Sequence, residues 1–142
     1  MAMMRGKRAM MEMLRAEGVR YVIGNPGTSE SAMMDALEEY PELEYILVTQ
    51  EGAGVGIADG YSRAARRPAF LNLHVETGLA NAISLLYNAR EGGSPMVVTA
   101  GDKDIREQAV EHTDLAQMVD QFTKWSANAT RPEQVPIFLR RA

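Results

Sequence analysis

Apolar positions recur along this chain in short clusters whose spacing alternates between a helical and an extended period. Met3, Met10, Met13 and Leu14 predict a helix over Met3 to Glu17, stopped by Gly18. Tyr21-Val-Ile23 reads as a short strand, ended by the turn-forming Gly24-Asn-Pro-Gly27. Thr28 or Ser29 is then placed to cap a helix with Ala32, Met33, Ala36, Leu37 and Tyr40 as its stripe, and Pro41 stops it. Tyr45 to Glu51 is nearly all apolar and predicts a buried parallel strand that delivers Glu51 to its carboxyl end. The helix expected over about 52–66 carries glycine at 52, 54, 56 and 60. Each costs a helix up to ~1 kcal/mol relative to alanine. A helix with that many needs another backbone, a ligand or a partner subunit to approach closely.

Arg66-Arg-Pro68 ends that helix, and Ala69 to Leu73 is the third strand, running into His74. Leu79, Ala82, Ile83 and Leu86 predict a helix closed by Gly92-Gly93, and Pro95 to Thr99 is the fourth strand, leading to Gly101-Asp102. The β-α-β-α-β-α-β alternation implies an α/β fold: a three-layer, doubly wound parallel sheet with helices on both faces. Beyond Gly101 the pattern predicts an exposed charged loop over Asp102 to Glu111, a short helix over Asp114 to Val119 and a strand at Phe122 to Trp125. Pro132 is placed in the first turn of a last helix. The chain stops inside that helix, so the expectation is one domain over 1–142, a fragment or a truncated chain that lacks its final strand.

Length, composition and charge narrow the function. The 142 residues are 46% hydrophobic and 24% charged, as in an ordinary globular domain. A net charge of -4 argues against nucleic acid as a partner. There is no cysteine, which excludes disulfides and thiolate metal sites and fits the cytoplasm. No apolar run reaches the ~18 residues of a membrane helix, and the basic start Met1 to Arg8 has no signal core behind it.

Four strand ends carry groups that can meet at one edge: Asn25-Pro26-Gly27, Glu51, His74 and Gly101-Asp102. That edge is where ligands bind in open α/β sheets. Each of these residues could equally be ordinary loop chemistry. Glu51 stands out because a carboxylate between an apolar strand and a glycine-rich helix is costly to bury without a partner. A dinucleotide fingerprint at Gly52-Ala-Gly54 fails on spacing, since its third glycine would fall at Ile57. It also fails on charge, with Glu51 where pyrophosphate would sit. No nucleophile elbow is present, and two distant histidines without cysteine do not make a zinc site.

Several motifs in order carry a resemblance: Gly24-Asn-Pro-Gly-Thr28, Gln50-Glu51 with Gly56-Ile-Ala-Asp-Gly-Tyr61, Asn72-Leu-His74, Gly78, Asn81-Ala82, Ser94 to Gly101 and Lys124-Trp-Ser126. Together they resemble the N-terminal, pyrimidine-binding domain of thiamine-diphosphate-dependent enzymes. Benzoylformate decarboxylase is the most similar type, with acetolactate-synthase-like carboligases a step away. The resemblance implies that Glu51 hydrogen-bonds the cofactor's aminopyrimidine and promotes proton removal from the thiazolium. It implies that Asn25, Pro26, Gly27, Gly78 and Asn81 line the cofactor and that His74 relays protons to substrate-derived groups. Thr28 stands where benzoylformate decarboxylase has a serine against the substrate carboxylate. Val75-Glu-Thr77 departs from the small residues usual there.

An enclosed carboxyl at Glu51 is expected to have a raised pKa, which suits proton exchange. The implied substrate is a 2-oxo acid. Mg²⁺ and diphosphate would be held by a second domain whose motifs do not occur in this sequence, on another subunit or on a separate polypeptide. The glycine-rich helix 52–66 would then support self-association as a dimer or tetramer. A catalytically silent assembly module of the same fold is the reading from a different class, and a nucleotide-binding domain a third.

Overall fold

The computed structural model describes residues 4–103 and 113–142. Four parallel strands form one sheet in the order β2-β1-β3-β4: β1 is Tyr21–Gly24, β2 Glu44–Leu47, β3 Ala69–Leu73 and β4 Met96–Ala100. Helix α1 (Gly6–Ala16) precedes β1, while α2 (Ser31–Leu37), α3 (Glu51–Ala65) and α4 (Val75–Glu91) are the three crossovers. Helices α5 (Leu115–Val119) and α6 (Gln134–Arg141) follow.

Alternation along the strands divides the core in two. Val22 and Phe70 are paired across β1 and β3 and face Met11, Leu14, Met33, Ala36 and Tyr40 of the α1–α2 layer. Ile23, Leu71 and Leu73 face the opposite layer, with Val55 and Ala58 of α3 and Leu79, Ala82 and Leu86 of α4. β3 is buried at all five positions, because strands lie on both sides of it and helices on both faces. The doubly wound parallel architecture is therefore the one its sequence pattern implies.

Several local expectations give way to tertiary context. The Tyr45–Glu51 strand ends at Leu47. It is an edge strand rather than a buried one, and Leu47 is 66% exposed. Val48 turns back into the core, Gln50 caps α3, and Glu51 is that helix's first residue. Neither Thr28 nor Ser29 caps α2, because a single 3₁₀ turn over Thr28–Glu30 comes first. Met11, outside the predicted stripe, is the fully buried methionine of α1. Val75 to Thr77 form the first turn of α4.

Phe122 to Trp125 is not a strand. Phe122 ends a 3₁₀ turn, and Trp125 packs edge-on against Phe138 of α6. Pro132 lies in the turn before α6, not in its first turn. Met3 and the loop expected over Asp102 to Glu111, from residue 104 onward, lie outside the described residues. Among the described residues no helix is long and apolar enough to cross a membrane.

Candidate active site

The winding of the sheet locates the site. From β1 the chain moves outward to β2, then crosses back over β1 to reach β3 on its other side. The connections after β1 and β3 therefore leave in opposite directions, and a crevice opens between them at the carboxyl edge. Asn25 to Gly27 follow β1, His74 follows β3, and Glu51 arrives from beyond β2.

Glu51 is fixed from three sides. The Gln50 side-chain oxygen accepts a hydrogen bond from the Ala53 amide at 2.7 Å, which starts α3 and sets Glu51 among its unpaired amides. The Asn25 amide nitrogen donates to Oε1 at 3.0 Å, and that of Asn81 donates to Oε2 at 3.1 Å. The residue is 7% exposed. Burial pushes its pKa upward, but the hydrogen bonds from Asn25, the backbone and Asn81, with the nearby His74, outweigh it, so the carboxyl lies below its ordinary value. The expectation of a raised pKa is thus corrected. Desolvation favours the neutral acid, and two converging amide donors favour the anion more. Gly78, one turn into α4, lies against the same group, and a Cβ there would touch the carboxylate at 3.4 Å.

A second carboxylate supports His74. Glu30, 3% exposed, accepts a hydrogen bond from the Gly27 amide at 2.8 Å through Oε2. The same oxygen lies 2.7 Å from His74 Nδ1, with Ser29 Oγ 3.2 Å from that nitrogen. The turn after β1 is packed flat on the ring, since a Cβ at Gly27 would overlap the imidazole. A Cβ at Gly101 would likewise overlap the Glu30 carboxylate. Beneath lie the Asn72 amide, donating to Thr99 Oγ1 at 3.2 Å, and the buried Tyr45 hydroxyl. Burial and the charge of Glu30 push the Tyr45 phenol up, so it stays protonated.

Directly after His74, Val75 adopts φ 39°, a left-handed conformation that a β-branched residue strongly resists. Glu76 then pairs with Lys103 at 2.9 Å, and that hydrogen bond holds its carboxyl below the ordinary range.

Asn25, Glu51, Gly78 and Asn81 thus meet directly, as do Gly27 and His74. Pro26 is half-buried between Asn25 and Gly27, and Thr28 is exposed at the start of the 3₁₀ turn. Asp102 is turned to its own neighbour, accepting from the Lys103 amide at 2.7 Å. His112 lies outside the described residues. Glu30 was missed, although an acid three residues after the turn glycine has the spacing of a capping box, where it reaches back to a free amide. Among the described residues no three acidic or histidine side chains cluster as a metal site requires.

The chain is a domain of the doubly wound class, and its buried, amide-held carboxylate lies at the switch point, where such domains bind ligands. Residues 4–123 match the family described as thiamine pyrophosphate enzyme, N-terminal TPP binding domain. The chain belongs to that family. It is 39% identical over 140 residues to benzoylformate decarboxylase of Pseudomonas aeruginosa, covering 94% of this chain and 26% of that protein. It is 31% identical to the acetolactate synthase large subunit of Haemophilus influenzae, covering 96% of this chain and 24% of that protein. The solved thiamine diphosphate-dependent 4-hydroxybenzoylformate decarboxylase of Rhodococcus jostii RHA1 superposes with a TM-score of 0.92 at 32% identity, over 97% of this chain and 27% of that one. The chain spans about a quarter of the length of the relatives it matches.

Proposed function

We propose that this chain is the pyrimidine-binding part of a thiamine-diphosphate-dependent 2-oxo-acid decarboxylase of the benzoylformate decarboxylase kind. The observation that carries the reading is Glu51, a buried carboxylate kept ionised by two amide donors at the sheet's switch point. The residues fit the cofactor's aminopyrimidine. Each carboxylate oxygen has a second lone pair beyond the one Asn25 or Asn81 uses, so Glu51 can still accept from a ring nitrogen that has taken up a proton. The missing side chain at Gly78 leaves space beside the carboxylate, and the one at Gly27 makes room for the His74 ring.

When bound, thiamine diphosphate supplies an electron sink for cleaving the bond beside a carbonyl. The chain's own residues then bind and place. Glu51 holds a proton at the pyrimidine ring nitrogen, and Asn25 and Asn81 fix the carboxylate's plane. Pro26 and Gly27 would lie against the pyrimidine. His74 would hold or move a proton at the substrate, and the Thr28 hydroxyl would contact the substrate's carboxylate.

Diphosphate and Mg²⁺ fall to a domain outside residues 1–142, contributed by another subunit of a cytoplasmic dimer or tetramer. The exposed side of α3, with Gly56, Ile57 and Gly60, is its docking face. A carboligase acting on a 2-oxo acid is the second reading, supported by the likeness to acetolactate synthase.

The test is Glu51→Gln in the complete protein, assayed with benzoylformate and with pyruvate. Proton transfer by a placed side chain contributes about 10²–10⁴-fold, so turnover is expected to fall at least ~100-fold with the circular dichroism spectrum unchanged. Unimpaired turnover overturns the assignment of Glu51. Benzoylformate consumed with carbon dioxide release supports the decarboxylase, and acetolactate formed from pyruvate supports the carboligase.

A further inference from the structure

Glu30 is the buried charged group that the proposed chemistry leaves without a role. It is 3% exposed, and its Oε1 has no hydrogen-bond partner among the described residues. Leaving a carboxylate oxygen so placed is costly, and only what the other oxygen does can offset it. That oxygen, Oε2, is engaged twice. The Gly27 amide donates to it at 2.8 Å, and His74 Nδ1 lies 2.7 Å away. An ionised Glu30 is an acceptor only, and two acceptors do not sit at that separation, so opposite the carboxylate Nδ1 brings the proton.

The surroundings are shaped to this pair. Gly27 and Gly101 lack the side chains that would displace the ring and the carboxylate. The strained Val75 turns the backbone immediately after His74.

We infer that Glu30 is the positioning residue of His74: its Oε2 holds the neutral imidazole as the Nδ1–H tautomer, leaving Nε2 as the nitrogen with a free lone pair for substrate. Free histidine prefers the opposite, Nε2–H form, so the contact has a direction to reverse. The same logic governs a carboxylate behind a catalytic histidine in hydrolases, where exchange to an amide leaves geometry intact and the wrong tautomer in place. The role of His74 toward substrate rests on the function proposed above, but the tautomer does not.

The experiment is two-bond ¹H–¹⁵N correlation on the complete protein labelled at histidine. It is recorded without cofactor or substrate at a pH where the ring is neutral, with His74→Asn identifying the resonance. Wild type is expected to show the Nδ1–H form in about tenfold excess or more, the range for a hydrogen bond to a charged acceptor. In Glu30→Gln the side chain can present either a carbonyl or an amino group to Nδ1. The excess is expected to fall about tenfold toward the Nε2–H form.

A wild-type His74 dominated by Nε2–H overturns the inference, as does a Glu30→Gln spectrum with the wild-type tautomer ratio. If Glu30→Gln does not fold, the wild-type spectrum still decides. Loss of the cofactor reading through an active Glu51→Gln would leave this result untouched, so the two failures are distinguishable.

Discussion

Glu51 illustrates what burial alone does not decide. A carboxyl that is 7% exposed would be pushed toward its neutral form, yet the donors Asn25 and Asn81 hold it below the ordinary 4.5. Since its folded pKa is depressed, the stability it contributes is present above the unfolded value and lost as pH falls through the folded one. Acid unfolding of wild type and Glu51→Gln should therefore converge as pH drops below about 4.3, the usual glutamate value, with wild type losing more. Parallel curves across that window would contradict it.

Val75 is the other residue-scale case. A left-handed non-glycine residue costs about 1–3 kcal/mol, and nothing in Val75's side chain forecasts φ 39°. Val75→Gly is expected to raise the unfolding free energy in urea by up to ~1 kcal/mol while loosening His74. At this scale the sequence indicated residue types, and it marked Glu51 and His74 as groups that could meet at one sheet edge. Glu30 was not marked, because its role depends on a ring 44 positions later.

At the scale of elements, glycine has opposite meanings within one short stretch of chain. Gly24 sits in β1 where a Cβ would overlap the Asn72 carbonyl of β3 and come 2.7 Å from the Tyr45 hydroxyl. Backbone cannot yield as a flexible side chain does, so Gly24→Ala is expected to cost about 1–3 kcal/mol by overpacking, read from denaturant midpoints. In α3, a Cβ at Gly54 would come within 3.2 Å of Leu71 and Val48, whereas one at Gly56 or Gly60 meets nothing within 4 Å.

Gly56→Ala should then stabilise this chain by itself by up to ~1 kcal/mol. If α3 forms the subunit contact, the same change weakens assembly in the complete protein, measured by sedimentation. Improvement in both would remove α3 from the interface. The periodicity of α3 was legible and the reason for each glycine was not, since that reason lies on other elements.

For the whole molecule, the crevice is a product of winding. Its walls come from segments far apart in sequence, Asn25 to Glu30, Glu51 and His74 to Asn81, brought together by the strand order β2-β1-β3-β4. Calorimetry with thiamine diphosphate and Mg²⁺ is expected to give binding for the complete protein and none for residues 1–142 alone, because the proposed function assigns diphosphate and Mg²⁺ to another domain. Tight Mg²⁺-dependent binding by residues 1–142 would contradict the division of the site between domains.

The sequence by itself determined the α/β class, three of the four strands nearly to the residue, and the motifs of the family to which residues 4–123 belong. These rest on local periodicity and turn chemistry, which each segment carries within itself. Tertiary structure alone decided that β2 is an edge, that Phe122 to Trp125 packs on α6 rather than forming a strand, and that Glu51 is an anion held by two amides. It also decided that Glu30 stands behind His74. Each of these depends on which atoms surround a residue once distant segments meet, and no local pattern contains that.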